Sequence, residues 1–484
     1  MLTLLLILIP IVAGALTFLS GERFAKQVAL IGGLAELGLA IFVWTKFDPN
    51  LSFQYSFKYS WLPSAGISFG AGVDGISLVL VLLTAFLSPL IILSAFDRNY
   101  KNSAAFYSLI LFMEGALIGV FTATDAFLFY LFFEAALIPV YFLAAVWGGE
   151  NRAKVTFKFF IYTIFGSLFM FVALVYLYYQ TPGTHSSEIT AFYNLQLDAQ
   201  QQGFIFWAFF IAFAIKMPLF PFHTWQPDTY TESPTQATML LSGIMLKMGV
   251  YGLIRMLIPI VPLGMESYGL VAIILSVIGI IYGSIIAIQQ RDMKRLIAYS
   301  SFAHVGLMAA GVFSVSTNGL QGALIQMLAH GINVVGLFFA IDIIYARTKT
   351  RYLDQLGGIS QTSPHFSVYF MILLLGSVAL PLTNGFVGEF LLLSSVFHYN
   401  AWLGAIAGLT IILGSVYMLR LFQKSMFGVK SNLVEGFTDL TMSERAVLLP
   451  LIIMVFWIGI YPNTFLEISG PAVSHLLELV GKNQ

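Results

Sequence analysis

The chain has 484 residues, 58% of them hydrophobic against a usual share of about 45–50%, and only 10% charged against a usual share of about 25%. That excludes an ordinary water-soluble globular protein, and the balance of 23 Lys+Arg with 23 Asp+Glu excludes a strongly basic nucleic-acid surface. With no cysteine, disulfides, thiolate zinc sites and iron–sulfur clusters are excluded within the chain, so any electron transfer falls to a partner.

A helix crossing roughly 30 Å of hydrocarbon needs about 20 mostly apolar residues. Runs of that order occupy, in chain order, residues 2–19, 27–45, 75–95, 104–121, 126–147, 157–179, 204–220, 237–257, 268–290, 295–313, 319–345, 367–395, 400–426 and 446–470. None alternates like a barrel strand, so satisfying the backbone inside lipid demands helices. The expectation is an all-α polytopic membrane protein of about 14 transmembrane helices, numbered here spans one to fourteen. The first run begins at Met1 without a basic leader, which favours a retained span over a cleaved signal peptide. Only a short tail is expected after span fourteen.

The basic residues test this count. Seventeen of the 23 Lys and Arg fall in odd-numbered connections, whereas Lys46, Lys58, Arg255 and Lys482 fall in even ones or in the tail. Positive loops are retained in the cytoplasm, so both termini are predicted on the outer, periplasmic side. The two remaining basic residues, Lys216 and Lys247, lie inside spans seven and eight.

An ionisable group at mid-bilayer costs about 2.5–3.5 kcal/mol on insertion scales and normally lines a polar cavity or ion pathway. Such groups are few here: Glu134 in span five, Lys216, Lys247, His304 in span ten, His330 in span eleven and Glu389 in span twelve, with Glu36 in span two and Glu114 in span four. Titratable groups spread over many helices point to a hydrated proton route; the alternative for individual members is a structural ion pair or an interhelical hydrogen bond. At an effective dielectric near 20, opposite charges 4 Å apart interact by about 4 kcal/mol, so a Glu moving relative to a Lys would load or unload its proton.

Two spans break beside their charges. Lys216 is followed by Pro218 and Pro221, and the stretch from Leu380-Pro381 through Asn384-Gly385 to Glu389 is a poor continuous helix. Discontinuous helices seven and twelve are therefore predicted, with freed backbone groups able to hold water and ions. Gly249-Val250-Tyr251-Gly252-Leu253-Ile254-Arg255 also resembles Gly414-Ser415-Val416-Tyr417-Met418-Leu419-Arg420 at an offset of 165 residues. The offset fits spans four to eight repeating, inverted, as spans nine to thirteen. The expected division is an N-terminal three-helix segment at 1–100, two inverted five-helix repeats at 101–262 and 263–428, and a final span and tail at 429–484.

Several strings carry a family resemblance: Phe133-Glu134-Ala135-Ala136-Leu137-Ile138-Pro139, Lys216-Met217-Pro218 through Trp225-Gln226-Pro227-Asp228, Leu246-Lys247-Met248-Gly249, Asp292-Met293-Lys294-Arg295, Ala329-His330-Gly331 and Asn384-Gly385-Phe386-Val387-Gly388-Glu389. Together they resemble the antiporter-like subunits of respiratory complex I over about residues 75–430. Leu382-Thr383 departs from that pattern, where Gly-Leu is expected after the proline. The resemblance implies that Glu134 pairs with Lys216 and controls its protonation, that Lys247 is the central relay, that His304 and His330 join the halves through water, and that Glu389 ends the second half-channel. It further implies no cofactor and no metal in this chain, with NADH, FMN, iron–sulfur clusters and quinone in partner subunits. The implied partners are other membrane-arm subunits, above all the antiporter-like neighbours L and N, together with the bilayer, protons and internal water. A bacterial inner membrane is the implied location. The large subunit of a multisubunit cation/proton antiporter is the alternative.

Overall fold

The computed structural model describes residues 1–183 and 185–482, apart from the side chain of Lys482. Each of the fourteen apolar runs is helical over most of its length. Among the described residues, twelve helical segments are long and apolar enough to cross a membrane. Spans seven and twelve stand outside that set, and both are interrupted. Span seven is a helix at Ala199–Lys216, a turn, then a short helix at Gln226–Glu232. Span twelve is split into Pro364–Ser377 and Asn384–Tyr399.

Burial sorts the helices into two sets. Thr235–Ile260, which is span eight, is wholly buried in its most apolar stretch, and Met293–Phe313 and Thr317–Thr348, spans ten and eleven, are 94% buried. Spans one, two, thirteen and fourteen bury only a third of theirs and turn Leu16, Phe18, Ile31, Ile412 and Ile453 outward. An apolar outer ring thus shields inner helices that can carry charge, the arrangement lipid imposes on polar side chains.

Three features depart from the sequence expectations. First, the structure is not purely helical: β1 (Gln54–Leu62) and β2 (Ile67–Val73) form an antiparallel hairpin with Tyr59 opposite Phe69 and Ser60 opposite Ser68. Gly66, at φ 62°, supplies the left-handed turn residue after Pro63–Ala65. Second, the last run does not continue to residue 470. Met442–Ile460 ends before Tyr461-Pro462, and a further helix, Asn463–Lys482, packs on spans three and eleven with Ile468, Val473 and Leu476 buried and Phe465 stacked on Trp44 of span two. A side chain on Gly75 would lie 2.0 Å from the Ile468 carbonyl, so this crossing requires glycine there.

Third, Arg255 is not in a connection. It is buried within span eight, in the π-helical turn Leu253–Leu257, and its guanidinium donates to both Asp74 oxygens at 2.7 Å. Asp74 caps span three, Gly75–Ser94, by accepting from the Ser77 amide at 2.9 Å. Burial pushes the Asp74 carboxyl up, but Arg255 and Ser77 outweigh it and hold the group below its usual value. The pair is expected to lock span eight to span three. Arg255→Met, which leaves Asp74 buried and uncompensated, should cost about 3–5 kcal/mol and lower the melting temperature of the solubilised protein. Adding Asp74→Asn should return part of the loss; equal melting of the single variant and the parent would contradict the lock.

Candidate functional site

Span eight is regular only in pieces. Lys247–Gly252 is an α-helical turn and a half between two π-helical turns, Leu241–Met245 and Leu253–Leu257. Such wide turns shift the phase of a helix and recur at functional sites. Here the Lys247 ammonium reaches back to donate to the Ser242 carbonyl at 2.6 Å. Its other contact is the Nδ1 atom of His330 at 2.9 Å.

Glycines make this reach possible. A side chain on Gly243 would meet Val335 at 2.6 Å, and one on Gly331 would meet the Gly243 carbonyl at 2.8 Å. Spans eight and eleven therefore approach at backbone distance, the use small residues serve between membrane helices. The lysine on one helix is thereby brought to the histidine on the other.

From His330 the polar line continues. Its Nε2 atom lies 3.0 Å from the Ser301 hydroxyl of span ten. The rings of His330 and His304 are 6.0 Å apart, and the His304 Nε2 atom lies 3.4 Å from a Glu389 oxygen. Gln326 donates to the same oxygen at 3.4 Å. All of these side chains are buried. A cavity of about 10 Å³, lined by Ser301, His304, Gln326, His330 and Asn333, lies along the histidine pair. By the same measure a single water needs roughly 10–15 Å³. Lys247, His330, His304 and Glu389 thus form one succession across spans eight, eleven, ten and twelve.

Lys216 stands apart from it. It is the last residue before the break in span seven, buried, with its ammonium 4.5 Å from the centre of the Phe133 ring. It has no hydrogen-bond partner among the described residues. Glu134, next to Phe133 and half-buried, is the acid whose charge acts on Lys216, but no ion-pair contact joins them. The break itself is well satisfied: the Trp225 indole donates to the Ile215 carbonyl at 2.9 Å. At the break in span twelve, Asn333 donates to Asn384 at 3.0 Å and Asn384 to the Ala329 carbonyl at 3.4 Å.

Ser301, Gln326, Asn333 and Asn384 belong to the site, yet only the titratable residues and the break at Asn384 stood out in the sequence. Helical spacing carried the missing signal, since Gln326, His330 and Asn333 fall on one face of span eleven and Ser301 lies three residues from His304 on span ten. A vestibule of about 550 Å³ opens at the end of the bundle rich in Arg and Lys, lined by Glu232, Ser233, Lys294 and Arg351 among others. The Lys294 ammonium donates to the Ser233 carbonyl at 2.5 Å. From there Thr238 and Ser242, both buried, lead along span eight to Lys247, the Ser242 hydroxyl donating to the Thr238 carbonyl at 2.6 Å.

The departure at Leu382 has a structural counterpart. Leu382 adopts φ 72°, a left-handed conformation that favours glycine. An ordinary side chain there costs about 1–2 kcal/mol, partly offset by about 0.5–1 kcal/mol of extra chain freedom that glycine would lose on folding. Leu382→Gly is therefore expected to raise stability by about 0.5–1 kcal/mol, read as a higher melting temperature; a clear fall would show that the exposed leucine makes a needed contact.

Known proteins share the sequence and the fold. The family described as NADH:quinone oxidoreductase/Mrp antiporter, TM, matches residues 123–414. NADH-quinone oxidoreductase subunit M of Rickettsia typhi is 40% identical over 460 residues, covering 94% of this chain and 92% of the relative. A chain of respiratory complex I from Thermus thermophilus with bound NADH superposes with a TM-score of 0.92 at 31% identity, covering 99% of this chain and 100% of its own. A chain of the Mrp complex from Dietzia sp. shares the fold, with a TM-score of 0.85 at 18% identity, covering all of this chain and 55% of its own. Residues 123–414 span both helix breaks and the whole Lys247-to-Glu389 succession, and the likeness to subunit M extends over nearly the full length: the chain belongs to the NADH:quinone oxidoreductase/Mrp antiporter transmembrane family, in its subunit M branch.

Proposed function

We propose that this chain is a proton-translocating, antiporter-like membrane subunit of an NADH:quinone oxidoreductase, which moves protons through its buried Glu/Lys/His relay while redox chemistry proceeds in other subunits. The observation that carries the reading is the succession Lys247, His330, His304, Glu389, in which a proton meets an ionisable group at every step through the interior. Proton transfer needs heavy atoms about 2.6–3.2 Å apart, or one water between them. The Lys247–His330 and His330–Ser301 contacts meet the first condition. At the histidine pair the cavity of about 10 Å³ is the size of the single water that the second condition calls for.

In this reading protons enter at the vestibule and pass the Thr238 and Ser242 hydroxyls to Lys247. Glu134 acts on Lys216 through space, so a small movement at the span-seven break changes how strongly the acid favours the charged lysine. Glu389 releases the proton from the second half. The two inverted repeats, 101–262 and 263–428, would each supply one half of the route. The chain itself carries no redox centre, cofactor or metal; NADH, FMN, iron–sulfur clusters and quinone reside in partner subunits. Its neighbours are the antiporter-like subunits L and N, in a bacterial inner membrane with both termini outside. Subunit M relatives at 40% identity favour this reading over a cation/proton antiporter, for which the likeness at 18% identity speaks to fold alone.

Glu134→Ala and Lys216→Ala are each expected to leave assembly intact and to reduce proton translocation per NADH oxidised about tenfold or more. Glu134→Asp, which keeps the charge, should retain part of it. The check is proton uptake in vesicles containing the assembled complex, and normal pumping in both alanine variants would defeat the assigned roles. A complex that purifies without flavin or NADH dehydrogenase activity would instead support the antiporter.

A further inference from the structure

Two buried acids lie outside the relay. Glu36 in span two, Gly21–Thr45, and Glu114 in span four, Ser103–Thr122, are both fully buried, and all four of their carboxyl oxygens lack a hydrogen-bond partner among the described residues. Glu36 lies near enough for its charge to act on Glu114.

Packing brings them to the same level. A side chain on Gly32, one turn before Glu36, would meet Ala13 of span one at 2.5 Å and Leu111 of span four at 3.7 Å. Leu111 is itself three residues before Glu114. Gly33 likewise abuts Pro89 and Ile92 of span three at 3.4 Å. Spans one to four thus close tightly around the two acids.

No cation bonds to them among the described residues; Lys247, on the part of span eight that packs against span four, is held by the Ser242 carbonyl at 2.6 Å and the His330 Nδ1 atom at 2.9 Å. Spans one and three contain no charged residue. Span three offers only the Ser88 hydroxyl towards Glu114, and that hydroxyl donates to the Thr84 carbonyl at 2.9 Å. On span two, Glu22, Arg23 and Lys26 lie ten or more residues before Glu36, about 15 Å or more along the helix. The Lys26 ammonium is held by the Phe96 carbonyl at 2.6 Å. On span four Tyr107 donates to the Ala95 carbonyl. On span five, Ala126–Trp147, the charged residue is Glu134, half-buried and one residue after the Phe133 ring that contacts Lys216.

A structural role would use these oxygens in hydrogen bonds or an ion pair, and neither is made. Leucine or methionine would fill the same space without a desolvation cost. Two carboxylates on adjoining helices without a cation in an apolar site cannot both be charged.

We propose that Glu36 and Glu114 form a second proton-binding site, a carboxyl pair separate from the Lys247-to-Glu389 succession, whose ligand is the proton and which takes up and releases one proton per turnover. At rest both groups are carboxylic acids. Release sends one proton to water and leaves a single negative charge on the pair, with the second acid beside it as a hydrogen-bond donor. Uptake of a proton from water reverses this, so charge and atoms balance without a further reactant.

The test uses the assembled complex in two measurements. Infrared spectra at neutral pH should show two deuterium-sensitive carboxylic-acid carbonyl bands, of which Glu36→Gln and Glu114→Gln each remove one and the double variant both. Proton translocation per NADH oxidised should fall about twofold or more in either glutamine variant. The double variant should be no worse than the more damaging single one, because the two acids act as a unit. If a glutamine variant fails to assemble, Glu36→Asp and Glu114→Asp should assemble and shift a band rather than abolish it. Spectra unchanged in every variant, translocation at parental level in the double variant, or a sodium requirement for the carbonyl bands would overturn the proposal. The infrared result is read on the resting complex, so it stands or falls independently of the roles given to Glu134 and Lys216.

Discussion

Desolvation governs this structure. Every ionisable side chain placed within hydrocarbon must be compensated by a partner, by water or by a proton, and the fold is organised around supplying those three. Spans one, two, thirteen and fourteen face outward with aliphatic and aromatic side chains, and spans eight, ten and eleven are enclosed by their neighbours. Enclosure is what allows Lys247, His330, His304 and Glu389 to sit in the interior without facing lipid. It also keeps the effective dielectric low, so that a displacement of one charge is felt strongly by the next.

The means of bringing those residues together are backbone features more than side-chain ones. Gly243 and Gly331 let two helices touch, two π-helical turns set the phase of the segment bearing Lys247, and breaks follow Lys216 and precede Glu389. The π-turns and the breaks give up some regular helix hydrogen bonding, and carbonyls beside them are taken by side chains. Trp225 takes the Ile215 carbonyl, Lys247 takes the Ser242 carbonyl, and at the break in span twelve the Thr383 hydroxyl takes the Leu380 carbonyl. The Arg255–Asp74 pair then anchors the far end of span eight, so the irregular helix has a fixed frame.

Much of the architecture was readable from hydropathy, because a span is a 20-residue average that tolerates local error. The breaks in spans seven and twelve were readable too, from Pro218, Pro221 and the Pro381-to-Gly385 stretch. The hairpin was not. β1 and β2 are short, carry aromatic residues and glycines rather than clean alternation, and lie in what reads as a loop. The π-turns were invisible because they add a single residue of phase within an apolar run. Arg255 was misplaced since it closes an apolar stretch, where a cation ordinarily marks the membrane surface; nothing in the sequence announces that Asp74, 181 residues earlier, is folded against it. Among site residues, titratable character identified the relay members and the break in span twelve pointed to Asn384, whereas Ser301, Gln326 and Asn333 are neutral and needed the helical wheel to be seen. The family resemblance implied a pairing of Glu134 with Lys216, and among the described residues the Lys216 ammonium makes no hydrogen bond to that acid.

The most direct test of the account is a density map of the assembled complex in lipid, detailed enough to place ordered water. Water between His304 and His330, and further water linking the break after Lys216 with the environment of Lys247, is the predicted result. A dry histidine pair with Lys216 sealed among aromatic rings on every side would contradict it.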